Sequence, residues 1–379
     1  MLRRRVRPTL LKKLKQFPAV ALLGARQVGK TTLAKSLGPF YYDCEQPEER
    51  LRIDIEWEKI VSASRLVIFD EAQTFPELFA RLRGAIDQDR KRNNRFLILG
   101  SIAPGIMKEV SESLTGRLGL CELTPFLVTE VAPEKSDDLW LKGGYPGGGI
   151  LRPRSYPEWQ RDYLALLAQR DLPHWGLSAK PRVTERLFQM LAALHGCPWN
   201  ASQLGKSLGL SYHTVNSYLD YLESAFLIRR LPPFHHNIKK RIVKSPKVYW
   251  RDTGLLHALL GVDNISGLMT QPWVGLSWEG WVIEQIIGHL NTLGRSFQES
   301  FLRTQDQEEI DLILEYQGRR WAFEIKLSSH PDADDLKRLN RLADQIGAHQ
   351  RILVSRTGKT VKGGNTLSTN IHDLFDILK

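Results

Sequence analysis

Between residues 18 and about 128, short apolar runs alternate with longer stretches whose apolar positions recur at helical spacing. Ala19–Leu23, Leu66–Phe69 and Phe96–Leu99 each have the length of one buried strand, and the segments between them read as helices. Strand and helix in regular alternation predict a parallel α/β sheet. At Gly143-Gly144-Tyr145-Pro146-Gly147-Gly148-Gly149 the pattern breaks in a hinge-like cluster, after which the chain reads as helical to about residue 228. From Lys247 onward come an amphipathic helix at Ser277–Leu290, a hairpin at about Ile310–Leu327 and a closing α/β stretch, Asp335–Leu353. The expected domains are residues 1–145, 146–245 and 246–379.

The chain has 379 residues, 42% apolar and 25% charged, so collagen-like and mostly disordered readings fail and each domain can bury its own core. No apolar run reaches the roughly 18 residues of a membrane span, and we read the protein as soluble with no membrane partner. Cys44, Cys121 and Cys197 lie far apart without metal-ligand spacing, which argues against a disulfide framework or a zinc site and for a reducing compartment. The net charge of +11 suggests a polyanionic partner, although seven bases (Arg3, Arg4, Arg5, Arg7, Lys12, Lys13, Lys15) sit in an acid-free start that could imitate a targeting peptide. The apolar stretch after them runs directly into Gly24, leaving no cleavable segment, so the expectation is cytoplasmic.

Gly24-Ala25-Arg26-Gln27-Val28-Gly29-Lys30-Thr31 fits G-x-x-x-x-G-K-[ST], follows an apolar strand and precedes the helix-like Thr32–Leu37. Glycines let successive backbone N–H groups curl round phosphate oxygens, Lys30 reaches the β/γ-phosphates, and the Thr31 hydroxyl can bind Mg²⁺. Leu66-Val67-Ile68-Phe69 ends in Asp70-Glu71 at a strand's C-terminal edge, where nucleotides bind. Asp70 would hold Mg²⁺ and Glu71 would polarise the water that attacks the γ-phosphate. After Phe96–Leu99, Ser101 is placed either to sense the γ-phosphate or simply to turn the chain.

Gly24–Thr32, Asp70-Glu71-Ala72-Gln73, Gly100-Ser101 and Glu112-Ser113-Leu114-Thr115-Gly116-Arg117 resemble prokaryotic AAA-type ATPases of an uncharacterised family that join the ATPase module to a conserved C-terminal domain of unknown function. Arg251-Asp252-Thr253-Gly254-Leu255-Leu256, Trp278-Glu279-Gly280 and Glu309-Ile310-Asp311 are similar to that family's later stretches. The resemblance implies a P-loop ATPase fold over residues 1–145, use of ATP, and assembly as a homo-oligomer or with partner ATPase subunits. Within it Arg117 is the arginine-finger candidate, acting on a neighbouring subunit's nucleotide; the alternative is an arginine that bonds local carbonyls.

In the middle stretch Asn200 can cap a helix Ala201–Leu208 that stops at Gly209, and Ser211 can cap a second helix to about Ser224. This is helix-turn-helix spacing, and the resemblance agrees with a winged helix. Val215, Tyr218, Leu219 and Leu222 form the buried stripe, which leaves Tyr212, His213, Asn216 and Ser217 for base edges, against the acids Asp220 and Glu223. From Arg229 to Arg251 there are eight bases and no acid, with Lys239-Lys240-Arg241 at the expected wing. DNA is the expected partner, and packing on another domain is the alternative.

Ile310–Glu315 and Arg320–Leu327 alternate in period two. A loop of Gln317-Gly318 would set Asp311 opposite Glu324 beside Lys326 on one face, with an apolar other face. Opposed acids repel unless a cation or proton intervenes. This D…E-x-K arrangement is similar to the PD-(D/E)xK nuclease core, in which a helix adds an acid, here Glu279 in the first turn of its helix or, alternatively, Glu284. The resemblance implies Mg²⁺ or Mn²⁺ on Glu279, Asp311 and Glu324, with Lys326 serving the nucleophile. A surface hairpin with cross-strand ion pairs would look alike, the fold also supports non-catalytic uses, and Ile310 stands where the name has proline.

The sequence therefore reads as a multidomain α/β protein: a P-loop parallel-sheet ATPase, a helical and winged-helix domain and a mixed α/β nuclease-like domain. Its expected activity is ATP hydrolysis in action on nucleic acid, with metal-dependent cleavage open. The alternatives are a non-cleaving DNA-binding ATP switch or regulator, and a signalling or assembly ATPase that binds proteins only.

Overall fold

The computed structural model describes residues 3–100, 114–234 and 243–378. Ser101, Glu112, Ser113 and the expected wing residues Lys239, Lys240 and Arg241 lie outside the described residues. Two compact units form: residues 1–126 with 220–226 and 291–294, and residues 127–219, 227–290 and 295–379.

In the first unit, helix α1 (Arg7–Gln16) is followed by strand β1 (Ala19–Leu23), helix α2 (Lys30–Lys35) and strand β2 (Phe40–Asp43). Helices α3 (Pro47–Ile55) and α4 (Trp57–Ser62), strand β3 (Val67–Asp70), helix α5 (Glu77–Gln88) and strands β4 (Phe96–Gly100) and β5 (Leu118–Glu122) complete it. The five strands are all parallel in the order β2-β3-β4-β1-β5. The three central strands are those with continuous apolar runs, as burial on both faces requires. Phe69, Phe96, Ile98, Leu78 and Leu82 belong to the core beneath β3 and β4. The basic start is part of this fold, for α1 buries Leu10 and Leu14 and leaves Lys12 and Lys15 exposed.

In the second unit, the Gly143–Gly149 stretch is packed rather than hinge-like. Gly148, Gly149 and Tyr145 are buried, and a Cβ on Gly143 would lie 2.1 Å from Asp252 Oδ1, so only glycine permits that approach. Helices Pro181–Ala193, Ala201–Leu208 and Tyr212–Ser224, the last of which passes into the first unit at Asp220, precede the antiparallel strands β6 (Ile228–Leu231) and β7 (Lys247–Trp250). Asn200 Oδ1 accepts from the Gln203 N–H, Gly209 adopts the left-handed stop, and Ser211 Oγ accepts from the Thr214 N–H, so both caps form where the sequence places them.

Strands β8 (Phe297–Arg303), β9 (Glu309–Tyr316), β10 (Arg319–Ile325), β11 (Gln350–Val354), β12 (Val361–Gly363) and β13 (Thr366–Thr369) form a mixed six-stranded sheet in the order β12-β13-β11-β10-β9-β8. Gln317 and Gly318 both take positive φ, the signature of a two-residue hairpin turn, and the ladder runs from Arg319↔Tyr316 to Phe323↔Leu312. Its next step brings Glu324 level with Asp311. Two expectations change here. Both faces of the hairpin are buried, because Ile313 and Ala322 share a core with Leu339, Leu342 and Ala343 of the crossover helix Ala333–Gln345. The helix expected at Ser277–Leu290 runs from Val274 to Thr292, which puts Glu279 in its second turn, and every residue from Ser277 to Leu290 is buried. Its acids are held by internal cations and do not mark a solvent face.

Candidate nucleotide site and acid cluster

Gly24 leaves β1 at φ 147°, where a Cβ would meet the Leu123 carbonyl oxygen at 2.2 Å, so the tight start of the loop requires glycine. Lys30 opens α2, is buried, and donates from Nζ to the carbonyls of Gly24 at 2.8 Å and Ala25 at 2.9 Å. Burial lowers its pKa to about 8 despite the opposing pull of Glu71 and Asp70. Ala25 and Val28 are buried in the loop, Arg26 is half-buried, and Gln27 and Thr32 are exposed. Asp70 ends β3, and its Oδ2 accepts from Thr31 Oγ1 at 2.6 Å. A hydroxyl and a carboxylate in contact at a sheet edge are hard oxygen donors of the kind Mg²⁺ takes.

Glu71 follows in a left-handed conformation, φ 47°, and its carboxylate accepts from Gln73 Nε2. Burial raises its pKa, against the pull of Lys30 and the Gln73 hydrogen bond. Gly100 makes room for that partner, since a Cβ there would lie 2.4 Å from Gln73 Oε1.

Three residues to which the sequence assigns no role join this site, Gln73 from within a motif and Tyr41 and Arg4 from outside any. Tyr41 of β2 donates to the same Asp70 Oδ2 at 2.7 Å. Gln73 holds Glu71. Arg4 donates from Nη1 to the Val28 carbonyl at 2.9 Å and from Nη2 to the Thr124 carbonyl at 2.5 Å, with its guanidinium 4.5 Å from the Phe126 ring centroid. Neither Tyr41 nor Arg4 carried a signal: Tyr41 lies on the short strand Phe40–Asp43, which has no continuous apolar run, and Arg4 is one of several equivalent bases along the chain.

Arg117 lies in the turn before β5, where its carbonyl accepts from the Ala19 N–H. That is the start of β1, the opposite sheet edge from Gly24. Its guanidinium is bidentate to Asp87, with both nitrogen-to-oxygen distances 2.9 Å, and also donates to the Thr115 carbonyl.

The second unit gathers the acids differently from expectation. Oxygens of Glu279, Glu309 and Asp311 lie within 4.8 Å of one another. Glu309 was missed, although it shares a strand face with Asp311 two residues on. Glu324, the third acid expected there, accepts instead from Lys326 Nζ at 2.8 Å and Arg338 Nη2 at 2.7 Å. Glu284, the alternative helix acid, is gripped by Arg229 and Arg251, and despite burial these hold its carboxyl below the ordinary range. Lys247 Nζ is 2.7 Å from Glu279 Oε1 and is also ion-paired with Glu309. Three of the eight bases read as a DNA-facing run are thus internal. Asn216, expected to be free, accepts from Trp199 Nε1 at 2.8 Å.

A family model for an AAA domain matches residues 16–132, and models for the domains of unknown function DUF8612 and DUF4143 match 133–266 and 274–374. An uncharacterized protein of Mycobacterium tuberculosis and one of Mycobacterium bovis are each 37% identical over 392 residues, covering 100% of this chain and 87% of the relative. The chain belongs to the family of these mycobacterial proteins. Among solved structures, a Walker-type ATPase of Pyrococcus abyssi is similar at 17% identity and a TM-score of 0.47, over 68% of this chain and 95% of that one.

The AAA domain makes the chain an ATP-binding, AAA-type ATPase, for which nucleotide and Mg²⁺ are the implied ligands. The following two family stretches are joined by buried charge, since Arg229, Lys247 and Arg251 of the DUF8612 stretch pair with Glu284 and Glu279 of the DUF4143 stretch. Among the described residues no helix is long and apolar enough to cross a membrane.

Proposed function

We propose that the AAA domain hydrolyses ATP with Lys30 on the β/γ-phosphates, Thr31 and Asp70 as the Mg²⁺ holders, and Glu71 as the base that orients the attacking water. The contact between Thr31 Oγ1 and Asp70 Oδ2 carries this reading, because it brings the two oxygen donors together from separate motifs. Phosphate oxygens would replace the Gly24 and Ala25 carbonyls as acceptors for Lys30. Mg²⁺ held by Thr31 and Asp70 would neutralise charge on the phosphates. Glu71, with its affinity for protons raised by burial, takes up the water's proton, and Gln73 fixes its carboxylate. Glu71→Gln should retain ATP binding and lose turnover by roughly 10²-fold or more; turnover within a few-fold of wild type would overturn the assignment of Glu71.

We further infer that the chain is a cytoplasmic, DNA-binding ATP switch that works as an oligomer, with Arg117 reaching a neighbour's nucleotide. The two capped helices, the exposed Tyr212 and His213 at the start of the second, and the strands β6 and β7 after them support a winged helix. The pairing of Arg229, Lys247 and Arg251 with internal acids favours the second reading, an assembly ATPase that binds proteins only. The salt dependence of binding to a labelled duplex decides between them. A DNA switch loses affinity steeply as salt rises, and alanines at Lys239, Lys240 and Arg241 flatten the slope.

A further inference from the structure

In a nuclease of the kind the D…E-x-K pattern resembles, a divalent ion relieves the repulsion among buried carboxylates. This cluster holds a cation of its own, from within the chain. Lys247, the first residue of β7, is 1% exposed and extends between Glu279 and Glu309. Tyr249 donates its hydroxyl to the same Glu279 oxygen at 2.5 Å, and Arg303 Nη1 stands 3.3 Å from Glu309 Oε2. Asp311 Oδ2 accepts from the Ile325 N–H at 2.7 Å, and Glu324 has Lys326 and Arg338.

Burial works against the charge on Lys247, yet Glu279, Tyr249, Glu309 and Asp311 outweigh it. The rings of Phe301 and Tyr249, 5.5 and 5.7 Å from Nζ, also favour a cation. Glu279 and Glu309, so committed to an ammonium, a phenol and a guanidinium, are a poor fit for a metal ion, whose binding would crowd a second cation against the first.

We propose that the Lys247 ammonium is the resident cation of the Glu279–Glu309–Asp311 cluster, bound to Glu279 and Glu309 in place of a divalent ion, so that the C-terminal sheet is a metal-free platform that does not cut nucleic acid. The lysine also ties β7 to the helix Val274–Thr292 and to β9, a tie an exchangeable ion would make only while bound.

The test uses the full chain without nucleotide, carrying Asp70→Asn so that the nucleotide site adds no signal, and Mn²⁺ followed by its electron paramagnetic resonance. With Lys247 in place the cluster should take up no Mn²⁺ at millimolar concentration, and plasmid nicking should not exceed that of an Asp311→Asn control. Any uptake that survives Asp311→Asn lies elsewhere and agrees with the proposal. Uptake or nicking that Asp311→Asn abolishes overturns it. In Lys247→Met the freed acids should bind Mn²⁺ stoichiometrically, and the ion should restore part of the melting temperature the substitution removes. A folded Lys247→Met protein that binds none also overturns the proposal. The measurement with Lys247 in place decides the matter even where Lys247→Met does not fold. Neither readout involves ATP turnover, so a failed Glu71 assignment leaves this inference standing.

Discussion

Arg4, which belongs to no motif, donates a hydrogen bond to the Val28 carbonyl of the Gly24–Thr31 loop at 2.9 Å. Because Nη2 spans to the Thr124 carbonyl, one planar guanidinium ties the loop to the segment after β5. Arg4→Ala leaves buried carbonyls without a donor, at about 1–3 kcal/mol for each unsatisfied group. The expected outcome is a lower melting temperature and several-fold weaker ATP binding from a residue that does not reach the phosphates. Arg4→Lys should recover little, since an ammonium lacks the fork and the stacking on Phe126. Full recovery by lysine would mean that charge alone matters.

The buried Lys30, with its pKa near 8, gives ATP affinity a pH dependence. Phosphate oxygens favour the ammonium, so the bound pKa lies above the free one and binding takes up a proton. Affinity should therefore hold below pH 8 and fall as pH rises above it, by up to about tenfold per pH unit. Calorimetry in buffers of different ionisation enthalpy measures that uptake directly, and a flat affinity between pH 7.5 and 9 would contradict it.

The fork between Arg117 and Asp87 is a partly exposed ion pair, a class that contributes little to stability. If Arg117 serves a neighbour's nucleotide it must leave Asp87 to do so. Asp87→Asn should then raise turnover with little change in stability, and mixing Arg117→Ala with Lys30→Ala chains should restore some activity. An Asp87→Asn protein no faster than wild type, together with no recovery on mixing, returns Arg117 to a local structural role.

Asp252 caps the helix Thr253–Leu259 through the Leu255 N–H and also accepts from the Gly144 N–H. Burial pushes its carboxyl up to about 6 in spite of these donors. A folded value above the unfolded one, about 3.9, means the folded state binds the proton more tightly. This residue's contribution to stability should thus fall by about 2 kcal/mol as pH rises from 4 to 6. Asp252→Asn should remove that slope, as read from urea midpoints of the two proteins across the range.

The chain announces its central strands and conceals its edges. β1, β3 and β4 are continuous apolar runs because both faces are covered, whereas β2 buries only Tyr42 and β5 leaves Leu120 exposed, so neither reads as a strand. The hairpin register was legible because a two-residue loop at Gln317-Gly318 leaves one in-phase pairing. The nucleotide motif was legible because its residues are neighbours in sequence. The basic run misled, since a charge on a linear chain carries no address for its partner. The acids that claim Arg229, Lys247 and Arg251 lie 30 residues or more away along the chain, on elements whose neighbours only the fold determines.

The buried bonds from Arg229 and Arg251 to Glu284 bear on how such proteins diversify. A recombinant that inherits residues 133–266 from one ancestor and 274–374 from another must receive matching charges on both sides of the join, or bury an unpaired carboxylate or guanidinium at a cost of about 3–5 kcal/mol. Arginine and glutamate must therefore change together or not at all. Selection on these positions should appear as correlated exchange, with the two stretches handed down as a single heritable block.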